Sequence, residues 1–157
     1  MAPIDYIPRT TEMYSDYAPY RWVFNEDVPW TPITRPVAQS RVALVTSGGV
    51  HLVDQKPFHM MDDTSVREVP KKTQRTNLTV SHFGYLIDDA KADPNCVFPL
   101  DRMRELEAEG IIGELSDPAY SFMGGIYSTR RVREELCPDL VDRLKRDRID
   151  LLFLVPA

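Results

Sequence analysis

The stretch Arg41-Val-Ala-Leu-Val-Thr46, followed at once by Ser47-Gly48-Gly49, decides the fold. A short apolar and β-branched run that ends in two glycines predicts a buried strand leading into a tight turn. Three further segments have a strand pattern: residues 77–82, 111–115 and 149–155. The last of these, Ile149-Asp-Leu-Leu-Phe-Leu-Val155, is almost wholly apolar. Continuous apolar strands are typical of a parallel sheet that is covered on both faces, so the sheet is predicted to be mainly parallel.

Two helices are predicted among these strands, over residues 100–109 and 131–148. In the first, Leu100, Met103 and Leu106 share one face, and Gly110 supplies the stop. Strand, strand, helix, strand, helix, strand is an α/β order. Two helices are too few to cover both faces of a doubly wound sheet. We therefore predict an incomplete doubly wound α/β domain, with a mainly parallel sheet and flanking helices, over residues 41–157.

Residues 1–40 have a different composition from the rest of the chain. They hold six of the 13 prolines and seven of the 15 aromatic residues. Proline at this density blocks long helices and complete strand ladders, whereas aromatic side chains carry apolar area that needs cover. We expect an extended, irregular N-terminal arm that packs on its own domain or on a partner.

Composition narrows the class of protein. The 157 residues contain 19 Lys and Arg against 24 Asp and Glu, a net charge of −5, which argues against a nucleic-acid binder. No apolar run is long enough to span a membrane, and no secretory leader is readable at the N-terminus. The two cysteines exclude a disulfide framework and a four-cysteine zinc site. A cytoplasmic protein with reduced thiols is the expectation.

Several polar side chains follow the predicted strands, where open parallel sheets bind ligands. The turn Ser47-Gly48-Gly49 predicts either a backbone nest for an anion or only a tight turn. His51 and His82 each follow a strand, and Tyr85 and Asp89 come shortly after His82. The two imidazoles could transfer protons, could ligate a metal ion together with Asp89, or could each be structural.

The two cysteines are not a C-x-x-C pair, so the sequence contains no dithiol motif. Cys96 precedes a predicted helix, whose N-terminus would favour a reactive thiolate. The alternative, which we favour, is a small buried hydrophobic residue under that helix. Cys137 lies on the second predicted helix and is expected to be a packing residue.

Seven segments in order resemble the selenoprotein B family of glycine, sarcosine, betaine and D-proline reductases, over about residues 29–157. None is diagnostic alone, but their order makes the resemblance strong. The segments are Pro29-Trp-Thr-Pro32, Arg41-Val-Ala-Leu-Val-Thr-Ser-Gly-Gly-Val-His-Leu52, Gln55-Lys-Pro-Phe58, Ser65-Val-Arg-Glu-Val-Pro70, Asn95-Cys-Val-Phe-Pro-Leu-Asp-Arg-Met-Arg-Glu-Leu106, Glu109-Gly-Ile-Ile-Gly113 and Tyr120-Ser-Phe-Met-Gly124.

The resemblance implies a reductase that cleaves a C–N bond at the α-carbon of an amino acid or a related compound, with electrons from a dithiol through thioredoxin-like partners. In the family, a selenocysteine or cysteine in a U-x-x-C or C-x-x-C element follows the strand that residues 149–157 resemble. This sequence stops before that element. Three explanations stay open: a split enzyme in which a separate chain supplies the element, a stand-alone half-domain with a different function, or a selenocysteine codon that is read as a stop. A second departure lies at Ser81-His-Phe-Gly-Tyr85, where Gly84 and Leu86 do not fit the family pattern.

We therefore predict a reductase subunit in which His51 and His82, with Tyr85, orient or protonate the substrate, and in which Ser47, Gly48 and Gly49 hold its carboxylate through backbone N–H groups. No cofactor is expected in this chain; the redox cysteine or selenocysteine is expected on a partner. We predict a heteromer with the chain that carries the C-x-x-C half, with a homo-oligomer as the alternative. Two other functions stay open: a non-catalytic binding or assembly subunit, and a metal-dependent hydrolase or lyase that uses His51 and His82.

Overall fold

The computed structural model describes residues 6–13, 15–16, 26–27 and 29–157. The chain divides into two compact units, residues 1–32 and 33–157. In the first unit, Tyr6–Met13 form helix α1, where we had expected extended chain. Pro8 is compatible with this helix because it lies in the first turn, where a backbone N–H has no intrahelical acceptor. Most of the aromatic residues of the predicted arm lie outside the described residues.

The second unit is built on a five-stranded, mostly parallel sheet, which confirms the predicted α/β class. Its strands are β1 (Arg41–Thr46), β3 (Arg67–Val69), β5 (Glu114–Leu115), β6 (Ala119–Ser121) and β7 (Leu151–Val155). The central strand β1 pairs with β5 and then β6 along one side and with β7 along the other, all in parallel. β3 pairs antiparallel with β6 and forms one edge of the sheet.

A second, two-stranded sheet corrects one of the strand predictions. β2 (Val50–Leu52) pairs antiparallel with β4 (Leu78–Val80), so the segment predicted as a parallel strand over 77–82 does not belong to the main sheet. In β4 the side chains alternate between buried and half-buried, as expected for a strand with one face on the core. β3 lies between β2 and β4 in a segment for which no strand is predicted. The strand predicted over 111–115 shortens to β5.

The two predicted helical regions lie close to where the sequence places them, whereas α2 is not predicted from the sequence. They are α2 (Ile87–Ala92), α3 (Leu100–Ala108), α4 (Thr129–Arg131) and α5 (Cys137–Arg146), with a π-helical turn over Val132–Leu136 between the last two. Pro138 explains that turn, since proline donates no backbone hydrogen bond and the preceding turn widens so that the Cys137 N–H reaches Val132 O. None of the helices in the described part of the chain is long and apolar enough to cross a bilayer.

The hydrophobic core lies on one face of β1. Val42 and Leu44 of β1 belong to the same buried cluster as Leu100 and Met103 of α3. Because β1 is buried along nearly its whole length, packing around the strand positions its carboxyl end and the turn that follows. The candidate residues of the turn, Ser47, Gly48 and Gly49, therefore lie at the carboxyl end of the central strand.

Candidate functional site

The turn after β1 is held by the hydroxyl of Thr46. This hydroxyl accepts a hydrogen bond from the N–H of Gly48 at 2.9 Å and donates one to the carbonyl of Val97 at 2.7 Å. Gly49 has a φ of +67°, and a Cβ there would lie 3.0 Å from the carbonyl carbon of Ser81 and closer still to its oxygen. Both the left-handed backbone and this close approach require glycine.

The expected anion nest at this turn has no free backbone donor. The Ser47 N–H donates to Val155 O at 3.1 Å, and the Gly49 N–H donates to Phe122 O at 2.9 Å. The Gly48 N–H is already bonded to Thr46. A substrate carboxylate would therefore have to replace one of these bonds, and the assignment of the turn to substrate binding stays a prediction.

The end of β7 reaches the same turn. The hydroxyl of Ser47 accepts a hydrogen bond from the Ala157 N–H at 2.9 Å. From the other side, the Ser81 N–H donates to Gly49 O at 2.9 Å. The turn after β1, the segment after β4 and the end of β7 thus meet at one edge, as the sequence predicted, although β4 arrives from the second sheet.

His82 has one unsatisfied nitrogen at this edge. Its side chain is 6% exposed, and Nδ1 accepts a hydrogen bond from the Gly84 N–H at 2.9 Å. The neutral ring therefore carries its proton on Nε2, which is buried and has no hydrogen-bond partner within the described residues. Burial lowers the pKa of His82 from its usual 6.5, so the ring is neutral near pH 7. His82 offers a hydrogen-bond donor and is a weak proton source.

Tyr85 packs against this histidine and closes the turn. The two rings lie 4.7 Å apart between centroids, and the Tyr85 hydroxyl donates to Gly48 O at 2.6 Å. Burial, with a smaller contribution from the charge of Cys96, raises the pKa of Tyr85 to about 12. Tyr85 is therefore a neutral donor fixed on the backbone of the turn.

The geometry of His51 favours a structural role. The side chain is 2% exposed, with Nδ1 2.7 Å from Leu52 O and Nε2 2.9 Å from the Ser81 hydroxyl. A carbonyl only accepts, so Nδ1 carries the proton and Nε2 accepts from Ser81. Burial lowers the pKa of His51. Both nitrogens are engaged within the protein, and the catalytic role expected of His51 stays a prediction for a variant to test.

The residues of the alternative metal site, His51, His82 and Asp89, do not form a ligand group in the described part of the chain. Asp89 lies exposed on α2, and both nitrogens of His51 are engaged. Within the residues that the structure describes, no three or more His, Cys, Asp or Glu side chains form a group that could hold a metal ion.

The cysteines differ from our expectation, because Cys96 and Cys137 are both free and exposed. Cys96 ends a short 3₁₀ helix, Pro94–Cys96, and does not lie under α3. This 3₁₀ helix comes shortly before α3 in the chain, and its backbone turns the Cys96 thiol towards solvent. Cys137 begins α5 on its solvent side.

Sequence reasoning missed the contribution of β6 and the residues that follow it. Phe83 stacks on Tyr127, with ring centroids 6.3 Å apart, and the Gly124 N–H donates to Ser47 O at 2.8 Å. Ser121 is fully buried, and its hydroxyl has no partner in the described part of the chain. The short run Ala119-Tyr-Ser-Phe-Met123, which is rich in apolar and aromatic residues and comes just after Pro118, is the signal that could have identified this strand.

Comparison with known proteins finds matches over most of the chain. The profile of glycine/sarcosine/betaine reductase selenoprotein B matches residues 17–156. The D-proline reductase subunit gamma of Acetoanaerobium sticklandii is 38% identical over 125 residues, which cover 80% of this chain and 52% of that protein. The glycine reductase complex component B subunit gamma of Symbiobacterium thermophilum is 32% identical over 134 residues, which cover 81% of this chain and 30% of that protein.

These curated relatives are longer proteins, and the chain spans about half of the first and less than a third of the second. No solved structure matches the chain. The match of the profile to nearly the whole chain nonetheless decides the assignment: this chain belongs to the glycine/sarcosine/betaine reductase selenoprotein B family.

Proposed function

We propose that the chain is a subunit of an amino-acid reductase complex and forms one wall of the substrate site at the carboxyl edge of its main sheet. The observation that carries this proposal is the buried, unpaired Nε2–H of His82 beside Tyr85 and the turn after β1. Buried hydrogen-bond donors in proteins nearly always have an acceptor. A buried donor without one, at the end of a sheet where ligands bind, is therefore a candidate to bind an acceptor of the substrate. The names of the relatives support the reductase class.

In this proposal His82 orients the substrate and does not protonate it. A neutral Nε2–H donates to the substrate carboxylate, and a charged acceptor makes such a bond strong. Tyr85 holds the imidazole in place through ring contact. The Phe83 and Tyr127 rings add an apolar border.

The redox step is assigned to a dithiol on a partner chain. The C–N bond breaks with its electron pair on nitrogen, and the dithiol is oxidised to a disulfide with release of two electrons and two protons. The two electrons from the dithiol and one proton form the new C–H bond, and the second proton binds the nitrogen, which keeps the electron pair of the broken C–N bond. Cys96, exposed near Tyr85, is the thiol of this chain proposed as a candidate for exchange with the partner. The complex is proposed to act in the cytoplasm, where thiols stay reduced.

The test is reconstitution of the chain with the product of a neighbouring reading frame that carries a C-x-x-C element, here called the thiol partner. Glycine, sarcosine, betaine and D-proline are supplied with dithiothreitol, and the released amine or amino acid is measured. His82→Ala should lower kcat/KM by roughly 10- to 100-fold, the effect of losing one hydrogen bond to a charged group.

His59→Ala is the matched control, because His59 lies exposed in the loop after β2 and should leave kcat/KM unchanged. His51→Ala, tested alongside, separates a structural loss from a catalytic one, since a structural role lowers stability as well. Absence of dithiol-dependent turnover with all four substrates, or full activity of His82→Ala, would refute the proposed site.

A second candidate function is that of an assembly subunit without catalytic residues. The exposed apolar strand β7 favours it. It predicts that the chain binds the thiol partner and that His82→Ala leaves turnover unchanged. The metal-dependent hydrolase or lyase predicts stoichiometric zinc or iron in the purified protein, which elemental analysis detects.

A further inference from the structure

A cavity of about 530 Å³ lies at the amino end of the main sheet. It is lined by residues from the segment before β1, the first residue of β1, the start of β5 and the segment between α5 and β7. The turn that carries the candidate site follows the opposite end of β1, at a distance of about 16 Å along the strand. The cavity is therefore separate from the candidate substrate site.

Three arginines from separate segments of the chain line this cavity. Arg35 precedes β1, Arg41 begins that strand, and Arg148 lies between α5 and β7. The lining also contains two carboxylates, Glu114 and Asp150, so three guanidinium groups against two carboxylates leave one excess positive charge. The chain as a whole carries a net charge of −5. Excess positive charge in a concave site of an acidic protein favours a negatively charged ligand.

The guanidinium of Arg41 is only partly satisfied within the protein. Its Nη1 donates to the Glu114 carboxylate at 2.5 Å, whereas its Nε is buried and has no hydrogen-bond partner among the described residues. Buried donors nearly always have an acceptor. The edge formed by Nε and Nη2 is one that binds two oxygens of a carboxylate or phosphate group side by side. Arg41 therefore has an unused donor on an edge suited to an oxyanion.

The two carboxylates of the cavity differ in how firmly they are held. Asp150 Oδ2 accepts hydrogen bonds from the Arg35 side chain at 3.1 Å and from the Arg41 backbone N–H at 2.9 Å, so this carboxylate ties the start of β7 to β1. The Glu114 side chain is 52% exposed and pairs with Arg41 through one nitrogen. Since an exposed ion pair contributes little stability, an anion that enters the cavity can replace Glu114 at Arg41.

Arg148 occupies a backbone position that favours glycine. It follows α5 with a φ of +55° in a Schellman motif, in which the Arg148 N–H donates to Lys145 O and the next N–H along the chain donates to Leu144 O. At the end of α3, Gly110 occupies the corresponding position. The exposed Arg148 side chain has no hydrogen bond or ion pair with the described residues. A left-handed backbone disfavours a side chain with a Cβ, and contacts within this part of the protein do not account for an arginine.

We propose that this cavity binds a phosphate group, either as inorganic phosphate or as part of a small phosphorylated compound. A tetrahedral phosphate presents oxygens in several directions, which suits arginines from three segments, whereas one guanidinium edge satisfies a planar carboxylate. The phosphate replaces Glu114 at Arg41 and pairs with Arg148. The volume lies within the range of ordinary small-molecule sites, roughly 300–1,000 Å³, and leaves room beside Gln39 and Ser40 for a small polar group. This site is independent of the proposed reductase function.

The test is titration calorimetry of the full chain with inorganic phosphate and with glycerol 3-phosphate at matched ionic strength. One of them should bind with a Kd below about 1 mM. Arg148→Gly should weaken its binding about tenfold, the loss of one charge-assisted hydrogen bond. The same variant should keep or raise the urea midpoint, because glycine is the favoured residue at a left-handed helix end. Glu114→Gln should tighten binding about threefold, since it frees Arg41 from an exposed ion pair.

Arg102→Ala is the matched control, because it removes one positive charge from an exposed side chain of α3 outside the cavity. It should change Kd less than about twofold, as expected for a distant, screened charge. Tighter binding of glycerol 3-phosphate identifies a phosphorylated compound as the ligand class, and the reverse order identifies the free ion. No binding of either probe, equal losses in Arg148→Gly and Arg102→Ala, or an unchanged Kd in Arg148→Gly would each overturn the proposal.

Discussion

Replacing Gly49 by alanine should cost about 3 kcal/mol of the free energy of unfolding. The φ of +67° forces the alanine into the left-handed backbone conformation, which costs roughly 1–2 kcal/mol for a residue with a Cβ. The new Cβ also meets the backbone carbonyl of Ser81 inside van der Waals contact. The Ser81 N–H to Gly49 O hydrogen bond, 2.9 Å long, must then stretch, at about 1 kcal/mol.

Gly110 provides the matched control because its φ is +71° and a Cβ there meets nothing within 4 Å. Gly110→Ala should therefore show the backbone cost alone, about 1–2 kcal/mol. Urea unfolding followed by circular dichroism measures both variants, with an unchanged m-value as the check that only stability has changed. Differences below about 0.5 kcal/mol are within the usual scatter of such measurements. If Gly49→Ala and Gly110→Ala lower the free energy of unfolding by amounts that agree within this range, the close packing of the turn against the segment after β4 is refuted.

Lowering the pH from about 7.5 to about 5.5 should lower the free energy of unfolding, because burial holds the pKa of His51 and His82 below 6.5 and the unfolded chain then binds more protons. Urea unfolding at both pH values measures this, and His82→Gln should reduce the loss. Tyr85 should ionise near pH 12, and in an ultraviolet titration Tyr85→Phe should remove one late phenolate step. Thr46→Val strands the buried N–H of Gly48 and should cost about 1–3 kcal/mol in thermal or urea unfolding.

The two exposed cysteines show that the burial of a side chain depends on the local backbone conformation and on the residues around it in space. Cys96 and Cys137 occupy positions that look like packing positions along the chain, yet both thiols face solvent. The 3₁₀ helix before α3 and the start of α5 turn them outward. A thiol at the surface is available to reagents and to partners, which the sequence pattern alone did not indicate.

The sequence of apolar and polar residues alone predicts the strands and helices in which that pattern stays regular from one end to the other. β1, α3, β7 and the helical region that ends with α5 are predicted within a few residues, because both strands are continuous apolar runs and an amphipathic helix repeats its apolar positions. The same reasoning placed the turn after β1, since only glycine tolerates its backbone. The meeting of that turn with His82 and the end of β7 also followed from strand order.

Only the tertiary structure decided which groups at that edge are free. His51 and His82 are equivalent in the sequence, yet Ser81 and Leu52 satisfy the first while Nε2 of the second has no partner among the described residues. The charged strand β3 was invisible because Arg143 and Gln55, distant in sequence, make it compatible with a sheet edge. Whether a polar group has a hydrogen-bond partner depends on residues that the fold brings together from distant parts of the chain. Hydrophobic periodicity, in contrast, is a property of neighbouring residues and can be read from the sequence.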